Sequence, residues 1–281
     1  MSRARNAALE IITGQLVMFL DSDDAWHPDM ARIMVETQQR EQADMVICRF
    51  ALCPTEERMN FGLQERDLRP VAEQGWYDRI DALRALADGR LNYSVWNKIY
   101  RRELWENIRF PEGHVYEDVL TDFQLLNCIH KIYILSDVLY LHRIHQKSIT
   151  TSCTAQNIQD YVYAVSQKEK YINRHIPDVF SDEHLFLMNH AKLNWLIDKY
   201  YRFYPRDENE KRFARKLRQW ILEMGKTIDW NRCSLHNRCL YQMLRFCPGL
   251  MKKAYPVNLR ICKWWKIVKE QRAMLNTEKC P

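Results

Sequence analysis

Long apolar runs are missing from this sequence of 281 residues, and glycine is scarce. No apolar stretch approaches the roughly 20 residues that a membrane-spanning helix needs, so we expect no spanning segment. The first 15 residues are basic, but their apolar run is short and is interrupted by Glu10, which argues against a signal peptide. Low-complexity segments and internal repeats are also absent, and this favours an ordinary globular fold.

The sequence also lacks closely spaced cysteine pairs. The nine cysteines are scattered along the chain, and none of them has CxxC spacing. Reduced thiols packed as small apolar side chains therefore explain them better than a zinc site or disulfides do, and we expect a cytoplasmic protein. Zinc fingers, RNP-like strands and glycine–aromatic platforms are missing too, so we expect no nucleic-acid partner.

The few glycines are unevenly distributed, because five of the seven lie before residue 150. The later part contains long amphipathic runs, such as residues 183–201 and 208–225, that predict helices. We therefore predict two parts, an α/β domain over residues 1–150 and an α-helical C-terminal region over residues 151–281.

The stretch "QLVMFLDSDDAWHP" places three aspartates directly after an apolar run. Residues 15–20 predict a strand buried on both faces, and Pro28 suits the first turn of a following helix. A second apolar run, residues 43–50, predicts the next strand. This order describes an α/β unit, in which ligands bind at the carboxyl ends of strands, where the acidic loop lies.

The acidic loop has two possible chemical roles. Asp21, Asp23 and Asp24 supply hard oxygen ligands suited to Mg²⁺ or Mn²⁺. Magnesium takes only one or two protein carboxylates and completes its shell with water and phosphate oxygens, so two acids one residue apart could suffice. The alternative is an N-cap cluster, because acids favour helix starts on electrostatic grounds alone.

Several motifs in order along residues 2–150 resemble the family 2 glycosyltransferases, inverting enzymes with the GT-A fold. The motifs that carry the resemblance are Ser2, Arg5, Asn6, Gly14 and the Asp21-Ser22-Asp23 triplet, then the Trp-x-Lys segment with Trp96 and Lys98, the Glu117-Asp118 pair, and "YLHRIHQKSIT" at residues 140–150. The resemblance implies a GT-A-like mixed sheet flanked by helices. It also implies transfer of a sugar from a nucleotide-sugar donor to a saccharide or lipid-linked acceptor in surface polysaccharide biosynthesis.

The resemblance further implies roles for the acids. Asp23 would bind Mn²⁺ or Mg²⁺, and Asp21 would bridge toward the donor ribose or a metal-bound water. Asp118 would be the general base that takes the acceptor's proton, with Glu117 as the second candidate. The Gln-x-x-Arg-Trp signature of processive synthases is absent, which favours transfer of a single sugar.

The remaining predicted site residues are basic, polar or aromatic. Arg5 and Asn6 belong to the implied donor pocket, Trp96 and Lys98 would line the acceptor or diphosphate side, and Arg143 would approach the diphosphate. Each prediction has a simpler alternative. The Glu117-Asp118 pair could merely favour a helix start, Trp96 could be a packed indole, and Lys98 and Arg143 could be solvated.

The chain also departs from the family pattern. Family members begin with a further strand and an Asp-Asp-Gly-Ser loop that hold the base and ribose, and this sequence starts after both. We therefore expect an N-terminally truncated catalytic domain that binds its donor weakly. A catalytically inactive remnant of a glycosyltransferase is the alternative.

The C-terminal part is strongly basic. Residues 251–272 contain seven Lys or Arg against one acid, and residues 259–275 predict a helix with tryptophans at the border of its apolar face. This pattern predicts docking on an anionic membrane surface, here the inner face of the cell membrane. An ordinary helix packed on the catalytic domain remains the structural alternative, and a basic membrane-surface binding protein remains a functional one.

Overall fold

The computed structural model describes residues 1–53, 72–144, 153–250 and 252–255, together with the backbone of residues 68–69. Contacts divide the chain into two compact units, Met1–Met188 and Asn189–Pro281. The predicted domain boundary at residue 150 lies outside the described residues and stays a prediction.

The first unit combines strands and helices. Its strands are β1 (Leu16–Met18), β2 (Ala25–Trp26), β3 (Met45–Cys53), β4 (Leu68–Arg69), β5 (Gly75–Tyr77), β6 (Lys98–Arg101) and β7 (Ile132–Arg143). Its helices are α1 (Ser2–Ile11), α2 (Met30–Glu41), α3 (Arg79–Ala87), α4 (Asp118–Cys128) and α5 (Ala155–His175), and α6 (Asp182–Arg202) begins in it.

All of these strands belong to one mixed sheet with the path β1-β6-β3-β7-β2, while β4 pairs with β3 and β5 with β7. Strand β6 is antiparallel to both β1 and β3, and β3 is parallel to β7. Strands β1, β3 and β7 therefore run in the same direction, and their carboxyl ends meet at one edge. The predicted mixed sheet flanked by helices is confirmed.

The centre of the sheet is buried on both faces. Met45 and Ile47 of β3 pack in one apolar cluster with α3 and α4, whereas Val46 and Cys48 pack in another with α2. Successive side chains of a strand point to opposite faces, so an uninterrupted apolar strand needs helices on both sides.

The predicted elements agree with the structure in part. Helix α2 buries Met30, Met34 and Thr37, as its spacing predicts. The first strand is shorter than predicted, and Leu20 is half exposed rather than buried. Strand β6 was not predicted, because a strand of four residues that begins with lysine has no recognisable alternation.

The second unit is helical in the described residues. It contains the rest of α6, α7 (Glu208–Gly225) and α8 (Leu235–Phe246). The predicted amphipathic run at 208–225 is confirmed, and it buries Leu217 and Ile221. Gly225 ends this helix against Tyr241, whose ring would overlap any Cβ at that position.

Membrane spanning is not supported by any helix that the structure describes, because none is both long and apolar enough. The predicted basic helix at residues 259–275 lies outside the described residues.

Candidate functional site

The acidic loop lies at the carboxyl edge of the sheet. After β1 the chain turns at Asp21, whose carbonyl accepts a hydrogen bond from the Asp24 amide at 3.1 Å. It then returns as β2, which pairs with Leu141 and Tyr140 near the end of β7. The loop is therefore held beside the carboxyl end of β7, as expected for a ligand site in an α/β sheet.

Asp24 fixes this loop to β7. Its carboxylate is 1% exposed and accepts hydrogen bonds from Tyr140 Oη at 2.6 Å and from the Arg143 amide at 2.8 Å. It also lies 3.1 Å from Nδ1 of His142. These contacts occupy the carboxylate, so Asp24 anchors the acidic loop to β7.

Arg5 joins the acidic loop to the start of α4. Its Nη2 lies 2.7 Å from Asp21 Oδ1, and its Nη1 lies 2.8 Å from Glu117 Oε1. The Arg5 side chain is only 10% exposed, and its guanidinium carbon lies 5.9 Å from the centre of the Phe19 ring and 5.2 Å from that of Phe110. Asp21 and Glu117, which lie 16 and 112 residues after Arg5 in the sequence, therefore meet at this one side chain.

Asn6 holds the chain that leads to this helix. Its Nδ2 donates to the Phe110 carbonyl, and its Oδ1 accepts from the Phe110 amide, both at 2.9 Å. The amide thus forms a two-way clamp on the backbone. The structure gives Asn6 a positioning contact rather than a visible opening toward a donor.

Asp118 is the first residue of α4, and the backbone before it is unusual. Tyr116 has φ 66°, a left-handed conformation that costs energy for a residue with a side chain and is often found at functional sites. The Glu117 carbonyl accepts a hydrogen bond from Thr121 Oγ1 at 2.8 Å. This geometry fixes the direction in which α4 begins.

The environment of Asp118 shifts its proton affinity. The pKa of this carboxyl is raised to about 7, first by burial and then by the charges of Glu117 and Asp122, while the charges of Arg5 and Lys98 oppose the shift. An acid that served only to favour a helix start would gain from being ionised. A carboxyl with a pKa near neutrality instead has the property that a general base needs.

Lys98 requires a correction. Its ammonium is 2% exposed and lies 2.7 Å from Asp122 Oδ2, and it also donates to the carbonyls of Asn92 and Ser94. All three N–H groups are therefore used inside the protein. Neither a diphosphate contact nor a solvated surface lysine describes this residue, because a buried ammonium needs an internal anion.

Trp96 is packed in the interior. It is 8% exposed and stacks on Tyr140 at 4.2 Å and on His142 at 5.2 Å between ring centroids. The structural alternative, a packed indole, therefore describes it better than a surface that contacts acceptor or diphosphate.

His142 was missed by the sequence analysis. Burial lowers its pKa, but the hydrogen bond to Asp24 and the charges of the acidic loop outweigh this, and the net shift is upward. Tyr140 and His142 lie two residues apart on β7 and contact the same carboxylate. That period of two is the signal that could have revealed them.

Arg143 ends β7 at the edge that holds the acidic loop, and its amide is one of the Asp24 donors. No metal cluster of three His, Cys, Asp or Glu side chains exists in the part of the chain that the structure describes.

The described site thus combines an α/β sheet, acids at its carboxyl edge and an arginine that joins them to the start of α4. Comparison with known proteins places it more narrowly. Residues 1–109 match the family model described as Glycosyl transferase family 2. The resemblance that the motifs indicated is thus confirmed over residues 1–109.

Individual relatives are distant. The uncharacterised glycosyltransferase YibD of Escherichia coli is 28% identical over 53% of this chain and 44% of its own length. The glycosyltransferase GlyA of Streptococcus pneumoniae is 25% identical over 60% of this chain and 24% of its own. The chain therefore spans less than half the length of these relatives. Among solved structures, S. aureus TarS 1-349 in complex with UDP-GlcNAc aligns with a TM-score of 0.46, 16% identity, and 92% and 72% coverage of the two chains.

Proposed function

We propose that this chain transfers a single sugar from a nucleotide-sugar donor to a saccharide or lipid-linked acceptor in surface polysaccharide biosynthesis. The observation that supports this best is the Arg5 bridge, because it brings Asp21 of the acidic loop and Glu117 of the α4 start to one guanidinium. Acids for a cation and a base for the acceptor would then face one reaction centre. The sheet edge at which they meet is where α/β proteins bind ligands.

The donor set fits a divalent cation. Asp21 and Asp23 offer hard carboxylate oxygens one residue apart, while Asp24 holds the turn that carries them. We assign Mn²⁺ or Mg²⁺ to Asp23 and Asp21. When bound, the metal would supply positive charge to the leaving nucleoside diphosphate.

The protein's own groups would handle the proton. Asp118, which starts α4 beside Glu117, would accept the proton of the acceptor hydroxyl as that oxygen attacks the anomeric carbon. Arg5 would keep Glu117 and Asp21 in place and limit the charge around the base. Incubation with UDP- and GDP-sugars, Mn²⁺ and saccharide acceptors, with nucleoside diphosphate release as the readout, tests this function. If none of the donors gives nucleoside diphosphate release, the catalytically inactive alternative is favoured.

Asp23→Asn should weaken the Mn²⁺-dependent part of nucleotide binding. The substitution removes the anionic oxygen that we assign to the cation, and changes at metal sites commonly cost about tenfold or more in affinity. Calorimetry with UDP and GDP, each with and without Mn²⁺, measures the effect.

Asp29→Asn is the matched control for that experiment. Asp29 is another aspartate close in sequence, but it is half exposed and pairs with Arg32 on α2. Its loss should leave Mn²⁺-dependent binding unchanged. Equal losses in the two variants, or none in either, would remove Asp23 from the metal site.

We also propose that the C-terminal region contacts an anionic membrane surface. Residues 189–255 contain 15 Lys and Arg against six Asp and Glu, so the basic excess begins well before the tail. In the second unit, Phe246 and Leu250 are exposed, and Arg245 lies 5.0 Å from the Phe246 ring. Exposed apolar side chains among cations are typical of interfacial segments.

Binding to liposomes should require anionic lipid and should fall as salt is added, since screening weakens charge attraction. Trp265→Ala should reduce co-sedimentation, because tryptophan anchors interfacial helices. Trp76→Ala, an exposed tryptophan of β5, is the control that should bind normally. Equal binding to neutral and anionic liposomes would contradict this role.

A further inference from the structure

The ion pair of Lys98 and Asp122 lies directly beneath the candidate base. Asp122 is one helical turn after Asp118 on α4, a spacing that places two side chains on the same face. The pair joins Nζ of Lys98 on β6 to Oδ2 of Asp122 at 2.7 Å, and the two side chains are 2% and 1% exposed. A fully buried pair of this kind is costly to form and contributes little net stability.

One oxygen of the pair has no donor. Oδ1 of Asp122 is buried and has no hydrogen-bond partner among the residues that the structure describes, although Oδ2 of the same carboxylate is bound by Lys98. A buried carboxylate oxygen without a donor carries an unfavourable free energy, because nothing replaces its lost hydration. The charge of Asp122 acts on Asp118, one turn earlier on the same helix, and contributes to its raised pKa.

We propose that the Lys98–Asp122 pair is the electrostatic support of Asp118: Lys98 keeps Asp122 charged, and Asp122 makes Asp118 a stronger proton acceptor. This inference deepens the proposed function and rests on it for its catalytic meaning. It gives Asp122 and Lys98 positioning roles, since neither would touch the sugar. The raised pKa of Asp118, to which the Asp122 charge contributes, agrees with it.

Other groups also act on Asp118. Those that lie around it are Arg5 of α1, Glu117 at the start of α4, and the phenols of Tyr93, Tyr100 and Tyr116. Helix α5 packs on α4 and brings Lys168 close to the rings of Tyr93 and Phe123. The test therefore has to change Asp122 alone and keep its shape.

Asp122→Asn satisfies that condition, because asparagine has nearly the same shape and its oxygen can still accept from Lys98. The variant removes a negative charge and leaves the Lys98 charge unbalanced, and both changes favour ionised Asp118. Two unit charges about 6 Å apart at an effective dielectric constant of about 20 interact strongly enough to shift a pKa by about one to two units.

The measurement is a carbon-detected NMR titration of the Asp118 side-chain carboxyl in the whole chain. We expect the wild-type group to titrate near neutrality, the Asp122→Asn variant to titrate about one to two units lower, and Asp122→Glu to restore most of the wild-type value. Asp81→Asn, on the surface of the same unit, should leave the titration unchanged. An Asp118 that titrates near 4 in the wild type, or an unchanged value in Asp122→Asn, would overturn the inference.

This titration needs no donor or acceptor, so its result is separate from the test of the proposed function. If nucleoside diphosphate release is found, the acidic limb of its pH profile should shift to lower pH in Asp122→Asn. The shift should equal the change in the Asp118 pKa found by titration. A purely structural role for the pair would change the amount of folded protein without moving that limb. A normal titration shift with no release from any donor would instead count against the proposed function.

Discussion

Asp118→Asn should lower sugar transfer by about 10²- to 10⁴-fold, the usual contribution of a positioned general base. The amide cannot take the acceptor's proton, but it keeps the size of the carboxyl at the start of α4. Nucleotide binding should change little, because a base acts in the chemical step. Release of nucleoside diphosphate in the presence of acceptor, together with calorimetry, separates the two effects.

The folded state of this variant should be intact, and its stability supplies the control. In the native protein the pKa of Asp118 is raised to about 7, whereas in the unfolded chain it is about 4. Between these two pH values the native carboxyl is protonated and the unfolded one is ionised. The Asp118 contribution to stability is therefore full below about pH 4 and is lost as pH rises through 7. Asp118→Asn has no carboxyl to ionise, so its stability should not fall over this pH range. At pH 8 the variant should be at least as stable as the wild type. Wild-type turnover in the variant would remove Asp118 from the mechanism.

Arg5→Met should destabilise the first unit by about 3–5 kcal/mol, the range found when one partner of a buried ion pair is removed. The methionine fills similar space beside Phe19 and Phe110 but leaves Asp21 and Glu117 without their cation. Urea unfolding at pH 7 measures the change in the free energy of unfolding.

Two other variants bracket that result. Arg5→Lys keeps the charge, but a single ammonium replaces the planar guanidinium that contacts both acids. Its loss of stability should therefore be intermediate between those of wild type and Arg5→Met. Arg3→Met removes an exposed pair with Glu112 and should change stability by less than about 0.5 kcal/mol. Equal stabilities of Arg5→Met and wild type would show that the bridge does not hold the site together.

Much of the fold could be predicted from local pattern. The helical periods at 30–37 and 208–225 depend on neighbours in sequence, and the structure confirms them. The apolar run at 43–50 does so too, and it contains most of strand β3. The position of the acidic loop at the carboxyl edge also followed from the strand–loop–helix order. These features are fixed by periodicity and by the direction of the strands.

The partners of the charged groups could not be predicted in this way. Lys98 looks like any lysine in the sequence, and its burial follows from Asp122, which lies 24 residues later. The three aspartates of the loop look equivalent, but Asp24 is set apart by donors from β7 that lie more than 110 residues away. Such pairings are made by tertiary structure, so composition and spacing do not contain them.

The central claim is that the acidic loop and the start of α4 face one nucleotide site. The most direct measurement is paramagnetic broadening of side-chain carboxyl NMR signals by Mn²⁺ in the presence of UDP or GDP. We predict that the signals of Asp21, Asp23 and Asp118 broaden together, while that of Asp44, which precedes β3 at the opposite edge of the sheet, stays sharp. Sharp signals at Asp21 and Asp23, or broadening there without any effect at Asp118, would contradict the account.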